Sequence, residues 1–278
     1  MARLPFQTVI YHMSYLTTVL LSNADHSVLT GIPRKQLLEK SLQITASGKK
    51  FNEWSEQDHA DSYVFMQRIA KAWKNSNITD QYLIYGKTSP NFFHWEMIPY
   101  QKCHTSMGRI FQQLQVLWRI TFGGIAISEE ICKNQFNMYR SLFNQSSETS
   151  TYSFVPSKSN DPFCKEDTME RQSVIKGKQV NVLFNYAPIG FGGERLHFLV
   201  VPKNHREAFT DVTQEEYCES LALTTMLVDH FTKTRTVIKN VHFMSKTGID
   251  SGQSVKHWHL HAIFSSNESQ NFFGRMTV

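Results

Sequence analysis

Three histidines at alternate positions near the end of the chain are the residues best suited to carry chemistry. They lie in the segment His257-Trp-His-Leu-His261, and we predict a strand over residues 255–264. Alternate side chains of a strand share one face, so the three imidazoles would lie together while Trp258 and Leu260 turn to the core. Near neutral pH an imidazole can act as a nucleophile, a proton donor or a metal ligand.

Joint binding of one metal ion is the alternative role for these three rings, because imidazole is a common ligand of zinc. The first and third residues of the set lie roughly 13 Å apart along an extended strand. That separation makes it difficult for all three rings to reach one ion. The spacing therefore favours nucleophilic chemistry, and we predict no metal site.

The sequence around the histidines resembles the signature of the histidine-triad (HIT) family. In that signature a Gly-Gln-Ser/Thr-Val segment precedes alternating histidines, as Gly252-Gln-Ser-Val255 does here. A second segment, Leu196-His-Phe-Leu-Val-Val-Pro-Lys-Asn-His205, is similar to a strand of the same family. The resemblance extends from Asp161 to Phe264 and implies an α+β, HIT-like fold with helices packed on an antiparallel sheet.

The resemblance implies a role for each histidine of the triad. His259 would be the nucleophile that attacks the α-phosphorus of a nucleotide and forms a covalent nucleotidyl-histidine. His261 would donate a hydrogen bond near the leaving group, and His257 would orient the site from a buried position. The other residues expected to bind the nucleotide or its phosphates are Asn185, His197, Lys246, Gly252, Gln253, Ser254 and Val255.

Departures from the family pattern bear on the substrate and on metal binding. Phe264 stands where members often have proline, and Lys246 stands where nucleotide-hydrolysing members of the fragile type have glutamine. Cys164 has no second cysteine at CxxC spacing, so we expect the structural zinc site of some members to be missing. No cofactor is expected to be required, and Mg²⁺ is a possible companion of a polyphosphate substrate.

Two capping boxes indicate that the chain contains two related halves. Ser55-Glu-Gln-Asp58 and Thr213-Gln-Glu-Glu216 each predict the start of a helix, the second running to about residue 233. A strand follows each helix, and the distance from cap to strand is 27 residues in the first half and 28 in the second. Such a repeated order is a sign of internal duplication, although helix followed by strand is also a common order by chance.

The first half resembles a degenerate copy of the triad. In Phe92-Phe-His-Trp-Glu-Met-Ile-Pro99, His94 takes the nucleophile position and Glu96 replaces the third histidine. This form is similar to the noncatalytic repeat of galactose-1-phosphate uridylyltransferases, which carry two such halves in one chain. We predict a degenerate half at 1–145, an active HIT domain at 146–278, and an intramolecular pseudo-dimer, with a homodimer as the alternative.

Composition and charge restrict the class of partner and the compartment. The net charge of +5 favours anionic partners, but the basic residues form no cluster, so nucleic acid is not expected. The apolar stretch over 15–21 is too short to span a membrane, and we interpret it as a buried strand. The four cysteines are scattered, which is typical of a reducing compartment, and we predict a cytoplasmic protein.

Together these features predict a nucleotide hydrolase that acts on a nucleoside phosphoramidate or a dinucleoside polyphosphate. Water would then release the nucleotide from His259. A nucleotidyltransferase or phosphorylase is the alternative enzyme, because the two-half architecture is found there, although such relatives usually carry glutamine in place of His261. A nucleotide-binding regulatory module with weak turnover remains a third possibility.

Overall fold

The structure is a computed structural model that describes residues 16–25, 27–46, 48–89, 91–122, 124–145, 161–185, 188 and 196–266. The elements of the first half are β1 (Leu16–Ser22), β2 (Val28–Pro33), β3 (Lys35–Gln36), β4 (Leu42–Ala46), α1 (Glu56–Asn75), β5 (Tyr82–Lys87), β6 (His94–Pro99), α2 (Ser106–Phe122), β7 (Ile125–Ala126) and α3 (Glu129–Gln145). Those of the second half are α4 (Glu166–Gln172), β8 (Ser173–Lys176), β9 (Val180–Phe184), β10 (His197–Pro202), α5 (Gln214–Thr234), β11 (Asn240–Thr247) and β12 (Leu260–Ser265).

The two long helices α1 and α5 begin at the predicted capping boxes. The hydroxyl of Ser55 accepts the backbone N–H of Asp58, and the hydroxyl of Thr213 accepts that of Glu216. In each box the carboxylate accepts the N–H of the cap residue in return, so the orphan donors of the first turn are satisfied. Both predicted helix starts are confirmed.

One ten-stranded antiparallel sheet joins the two halves. Its strand order is β1-β2-β4-β6-β5-β11-β12-β10-β9-β8. The edge strands β1 and β8 occupy equivalent positions in the two halves, and so does each pair of strands further inward, up to β5 and β11. The central strands β5 and β11 pair directly, from His242 opposite Lys87 to Thr247 opposite Tyr82. The predicted α+β fold with two HIT-like halves in one chain is confirmed.

The two faces of this sheet have different coverings. Helices α1 and α5 lie on one face over a core that includes Trp73, Trp95 and Trp258. On the other face, α2 packs its Val116 with Met244 and Ile263 of the second half. Helix α2 therefore crosses the junction between the halves on the face that carries the triad.

Several details of the fold differ from the predictions. Strand β12 begins at Leu260 instead of Val255, so only His261 of the triad lies in a strand. Strand β1 lies at one edge of the sheet, and most of its residues are half-buried instead of buried. The predicted boundary at 145/146 adjoins residues outside the described ranges. Within those ranges, no helix is both long and apolar enough to cross a bilayer.

Candidate active site

His259 is held as a neutral ring with one nitrogen available. Its Nδ1 lies 2.7 Å from the carbonyl oxygen of His257, and because a carbonyl can only accept, Nδ1 carries the proton. Burial lowers the pKa of His259 to about 4, so the ring is neutral at pH 7 and Nε2 keeps its lone pair. This is the tautomer that a nucleophilic imidazole requires.

His261 is oriented by a chain of two further side chains. The Asn185 amide donates to Nδ1 of His197 at 3.1 Å, and Nε2 of His197 donates to Nδ1 of His261 at 2.8 Å. Burial lowers the pKa of His197 to about 4 and that of His261 well below its ordinary value, so each ring carries one proton. The proton of His261 is therefore on Nε2, which makes this nitrogen a hydrogen-bond donor next to His259, the two ring centroids being 4.7 Å apart.

The loop between β11 and β12 forms a cradle in front of the triad. Gly252 turns the loop at φ +86°, a conformation that favours glycine, and its N–H donates to Ile249. The side chain of Gln253 bonds the backbone of Gly248 and Glu207, so this residue braces the loop. The Gly252 amide is thus engaged within the loop, and a phosphate contact from Gly252 stays a prediction.

The amides of Ser254 and Val255 remain as candidate phosphate donors. Among the described residues, neither amide donates to another protein group. The Ser254 side chain is exposed and Val255 is half-buried. Successive free amides in a turn are a typical binding site for an anion.

Lys246 extends toward this cradle from β11. It lies two residues beyond Met244, which pairs with His261, so it shares the face on which the triad lies. Within the described ranges its ammonium group has no acceptor or ion-pair partner, and burial lowers its pKa. A partly buried cation without a counter-charge is a favourable position for a phosphate oxygen.

A second cluster of four side chains lies behind the triad. Oδ2 of Asp161 is 2.7 Å from Nδ1 of His257 and 2.8 Å from Nδ1 of His205. The sulfur of Cys164 is 3.2 Å from the same oxygen and 3.4 Å from His205. Four potential ligand atoms thus lie within 4.8 Å of one another.

The chemistry of this donor set fits Zn²⁺. Two imidazole nitrogens, one thiol and one carboxylate are the ligand types of four-coordinate zinc sites. Nε2 of His257 donates to the carbonyl of Pro202 at 3.1 Å, so the lone pair of its Nδ1 points into the cluster, where a cation would satisfy it. The CxxC spacing suggests only a second cysteine as partner for Cys164, whereas the structure brings a carboxylate and two imidazoles to it.

Asp161 and His205 are the residues that sequence reasoning missed. A signal was present in Asp161-Pro-Phe-Cys164, where a short 3-10 turn, Pro162–Cys164, places the carboxylate and the thiol on one side. His205 was noticed only as part of a strand motif. The two are 44 residues apart, and no local pattern joins them.

The degenerate half places His94 in a different setting. His94 is the first residue of β6 and pairs with Thr45 of β4, and burial lowers its pKa to about 4. Glu96, two residues further on, is buried and accepts the N–H of Leu37 at 3.2 Å. Strand β5 ends at Lys87 and β6 begins at His94, which leaves six residues between them, whereas twelve lie between the end of β11 at Thr247 and the start of β12 at Leu260. The first half therefore lacks the chain length of the cradle loop.

Comparisons with known proteins agree with this geometry. The family model described as HIT domain matches residues 169–268. A GalT-like protein from Arabidopsis thaliana has a similar structure, with a TM-score of 0.55, 9% identity and coverage of 90% of this chain and 78% of that one. An ADP-glucose phosphorylase from Arabidopsis thaliana with bound ADP-glucose gives 0.53 at 8% identity, covering 90% and 77%. A search of curated proteins gives no match.

The two kinds of similarity cover different parts of the chain. The family model matches the half that carries the triad, and the solved structures match the arrangement of both halves. Their sequence identities are so low that they show similarity of fold only. Residues 169–268 therefore match the HIT domain model, and the whole chain has a fold similar to that of a GalT-like protein.

Proposed function

We propose that the protein breaks a phosphate linkage at the α-phosphorus of a nucleotide through a nucleotidyl-histidine on His259. The observation that carries this proposal is the 2.7 Å bond from His259 Nδ1 to the His257 carbonyl. That bond keeps the proton on Nδ1 and leaves the lone pair of Nε2 free to attack. A change to the other tautomer would break the bond. The HIT domain match supports the same chemistry.

His259 attacks the phosphorus, and the other site residues stabilise the leaving group and the phosphate. Nε2 of His259 attacks phosphorus, forming an N–P bond while the bond from phosphorus to the leaving group breaks. The leaving group departs with the bonding electron pair, and Nε2–H of His261 donates to it or to a phosphate oxygen. The amides of Ser254 and Val255 and the ammonium of Lys246 stabilise the charge that develops on the phosphate.

We propose hydrolysis as the second step, with a phosphoramidate or dinucleoside polyphosphate as substrate. Water then attacks the phosphorus of the intermediate and releases a proton to solvent. The N–P bond breaks with its electron pair returning to Nε2, and the nucleoside monophosphate leaves. His261 supports this reading, because relatives that transfer the group to another acceptor usually carry glutamine there.

Transfer to phosphate or a sugar phosphate is the second candidate. It is favoured by one observation, the similarity over 90% of this chain to a GalT-like protein and to an ADP-glucose phosphorylase. The two candidates share the first step and differ only in the acceptor. They are therefore separated by the product and not by the site residues.

A bound Zn²⁺ would supply a cross-link between distant parts of the chain, and the residues that would hold it are Asp161, Cys164, His205 and His257. The role of these residues would be to position the His257 carbonyl, which fixes the tautomer of His259. No step of the reaction takes place at the cluster.

Steady-state kinetics with matched histidine variants tests the proposal. We expect His259→Ala to lower kcat/KM for adenosine and guanosine phosphoramidates by about 10,000-fold or more. His94→Ala, the same change in the degenerate half, should leave kcat/KM within about threefold. Adding inorganic phosphate or a sugar phosphate identifies the acceptor by its product. Nucleotide binding without turnover in any of these assays would contradict the proposal and favour a regulatory module.

A further inference from the structure

We propose that helix α2 of the degenerate half supplies a subsite for a second phosphate, formed by Gln113 and Arg109 beside the cradle of the active half. This inference rests on the proposed function and adds a requirement to it. The preferred substrate carries a phosphate beyond the α-phosphate, as nucleoside diphosphate compounds and dinucleoside polyphosphates do.

The first observation is the position of Gln113 relative to the cradle. A Cβ at Gly252 would lie 3.4 Å from Nε2 of Gln113 and 3.4 Å from Nζ of Lys246. Two nitrogen donors from different halves of the chain therefore converge on the small space that Gly252 leaves open. Only one amide proton of Gln113 is used by its 3.0 Å bond to the carbonyl of Asp250, so the other remains for a ligand.

The second observation is a cleft of about 300 Å³ that continues from the cradle along α2. Its lining comes from both halves: Ser106, Arg109, Ile110 and Gln113 of α2, and Ile249, Gly252, Gln253 and Ser254 of the loop. The cleft thus begins at the phosphate-binding loop and ends at an arginine.

Arg109 is anchored for such a role. Its Nε is 3.7 Å from Oδ1 of Asp250, and the side chain of Asp250 is 2% exposed while that of Arg109 is 26% exposed. The buried carboxylate holds the inner edge of the guanidinium, and a terminal nitrogen donates to Ser106 at 3.4 Å near the surface. A guanidinium fixed at one edge with its outer nitrogens near solvent is suited to a phosphate oxygen.

The charges along this path favour an anion at each step. Lys246 lies two residues beyond Met244, which pairs with His261, so its charge is on the face of the sheet that carries the triad and close to the reacting phosphate. Gln113 and Arg109 follow along α2, in the lining of the cleft. No acidic residue is among the described residues that line the cleft. The nearby buried carboxylate of Asp250 is engaged by Arg109 and by the Cys103 amide.

Nucleotide affinity in the full-length protein tests the subsite without requiring turnover. The readout is the ratio of Kd for the nucleoside monophosphate to Kd for the diphosphate, measured by calorimetry with AMP and ADP and with GMP and GDP. We expect the wild type to bind the diphosphate at least about tenfold more tightly. Gln113→Glu places a carboxylate where the second phosphate would lie and should abolish this preference.

Gln115→Glu is the matched control, because it makes the same change on the same helix at a residue that lines a different surface cleft. It should keep the wild-type ratio. Gln113→Met, which removes the donor without adding charge, should reduce the preference about threefold to tenfold and serves if Gln113→Glu does not fold.

An unchanged ratio in the Gln113 variants, with monophosphate binding intact, would overturn the subsite and leave the proposed function standing. Failure of the wild type to bind either nucleotide would overturn both.

Discussion

The buried carboxyl group of Glu96 should make the stability of the protein depend on pH in a defined window. Glu96 is 6% exposed and faces an apolar cluster that contains Leu83, Tyr85 and Ile98. Burial raises its pKa from 4.5 to about 8. The folded protein therefore keeps a proton on Glu96 that the unfolded chain releases above pH 4.5.

The sign and size of the effect follow from this difference. Between pH 4.5 and 8 the folded state binds one more proton than the unfolded state, so the free energy of unfolding falls by about 1.4 kcal/mol per pH unit from this group. The contribution is complete below pH 4.5 and lost by about pH 8. At pH 7 the free energy of unfolding is about 3 kcal/mol lower, because of this group, than it is below pH 4.5.

Glu96→Gln replaces the carboxyl with a neutral group of the same shape and removes this dependence. Urea unfolding followed by tryptophan fluorescence at pH 5 and pH 8.5 should show little difference between variant and wild type at pH 5 and a more stable variant at pH 8.5. The exposed Glu130 offers a control, and Glu130→Gln should follow the wild type at both values. The reasoning is refuted if Glu96→Gln loses stability with rising pH as steeply as the wild type does.

Two further predictions concern the elements that hold the site. The protein should purify with about one equivalent of Zn²⁺ by elemental mass spectrometry. Asp161→Ala or Cys164→Ser should lower the zinc content, whereas Cys218→Ser should not. Equal zinc content in all three variants would show that the cluster is not a zinc site. Nε and Nη2 of Arg206 donate to the two carboxylate oxygens of the buried Glu216, so Arg206→Met should lower the free energy of unfolding by about 3–5 kcal/mol. Adding Glu216→Gln should recover part of that loss, and an additive double variant would show that the pair is not coupled.

The sequence allowed the elements to be predicted where the signal is local. The boxes at Ser55 and Thr213 fix the starts of α1 and α5, because a hydroxyl and a carboxylate three residues apart satisfy the same orphan amides in any context. The similar cap-to-strand distances indicated two halves, and the sheet confirms them. The three histidines were recognised as a group because their spacing is itself the signal.

The errors arose where tertiary contacts decide the backbone. Alternating residues over 255–264 predicted a strand, but the amide of Trp258 donates to the carbonyl of Arg206 and the ring of His257 is held by Asp161 and Pro202. Because of these bonds residues 257–259 do not pair with a neighbouring strand, and strand pairing begins at Leu260. The cluster around Cys164 and the approach of Gln113 to Gly252 join residues far apart in sequence, so no periodicity could indicate them.

Intact-mass analysis of the protein during turnover is the most direct test of the central claim. Brief exposure to a nucleoside phosphoramidate, acid quenching that avoids hydrolysis of the N–P bond, and peptide mapping should locate one nucleoside monophosphate unit on His259. The adduct should be absent in His259→Gly and should disappear from the wild type as substrate is exhausted. Turnover with no adduct, or an adduct on a different residue, would contradict the assignment of His259 as the nucleophile.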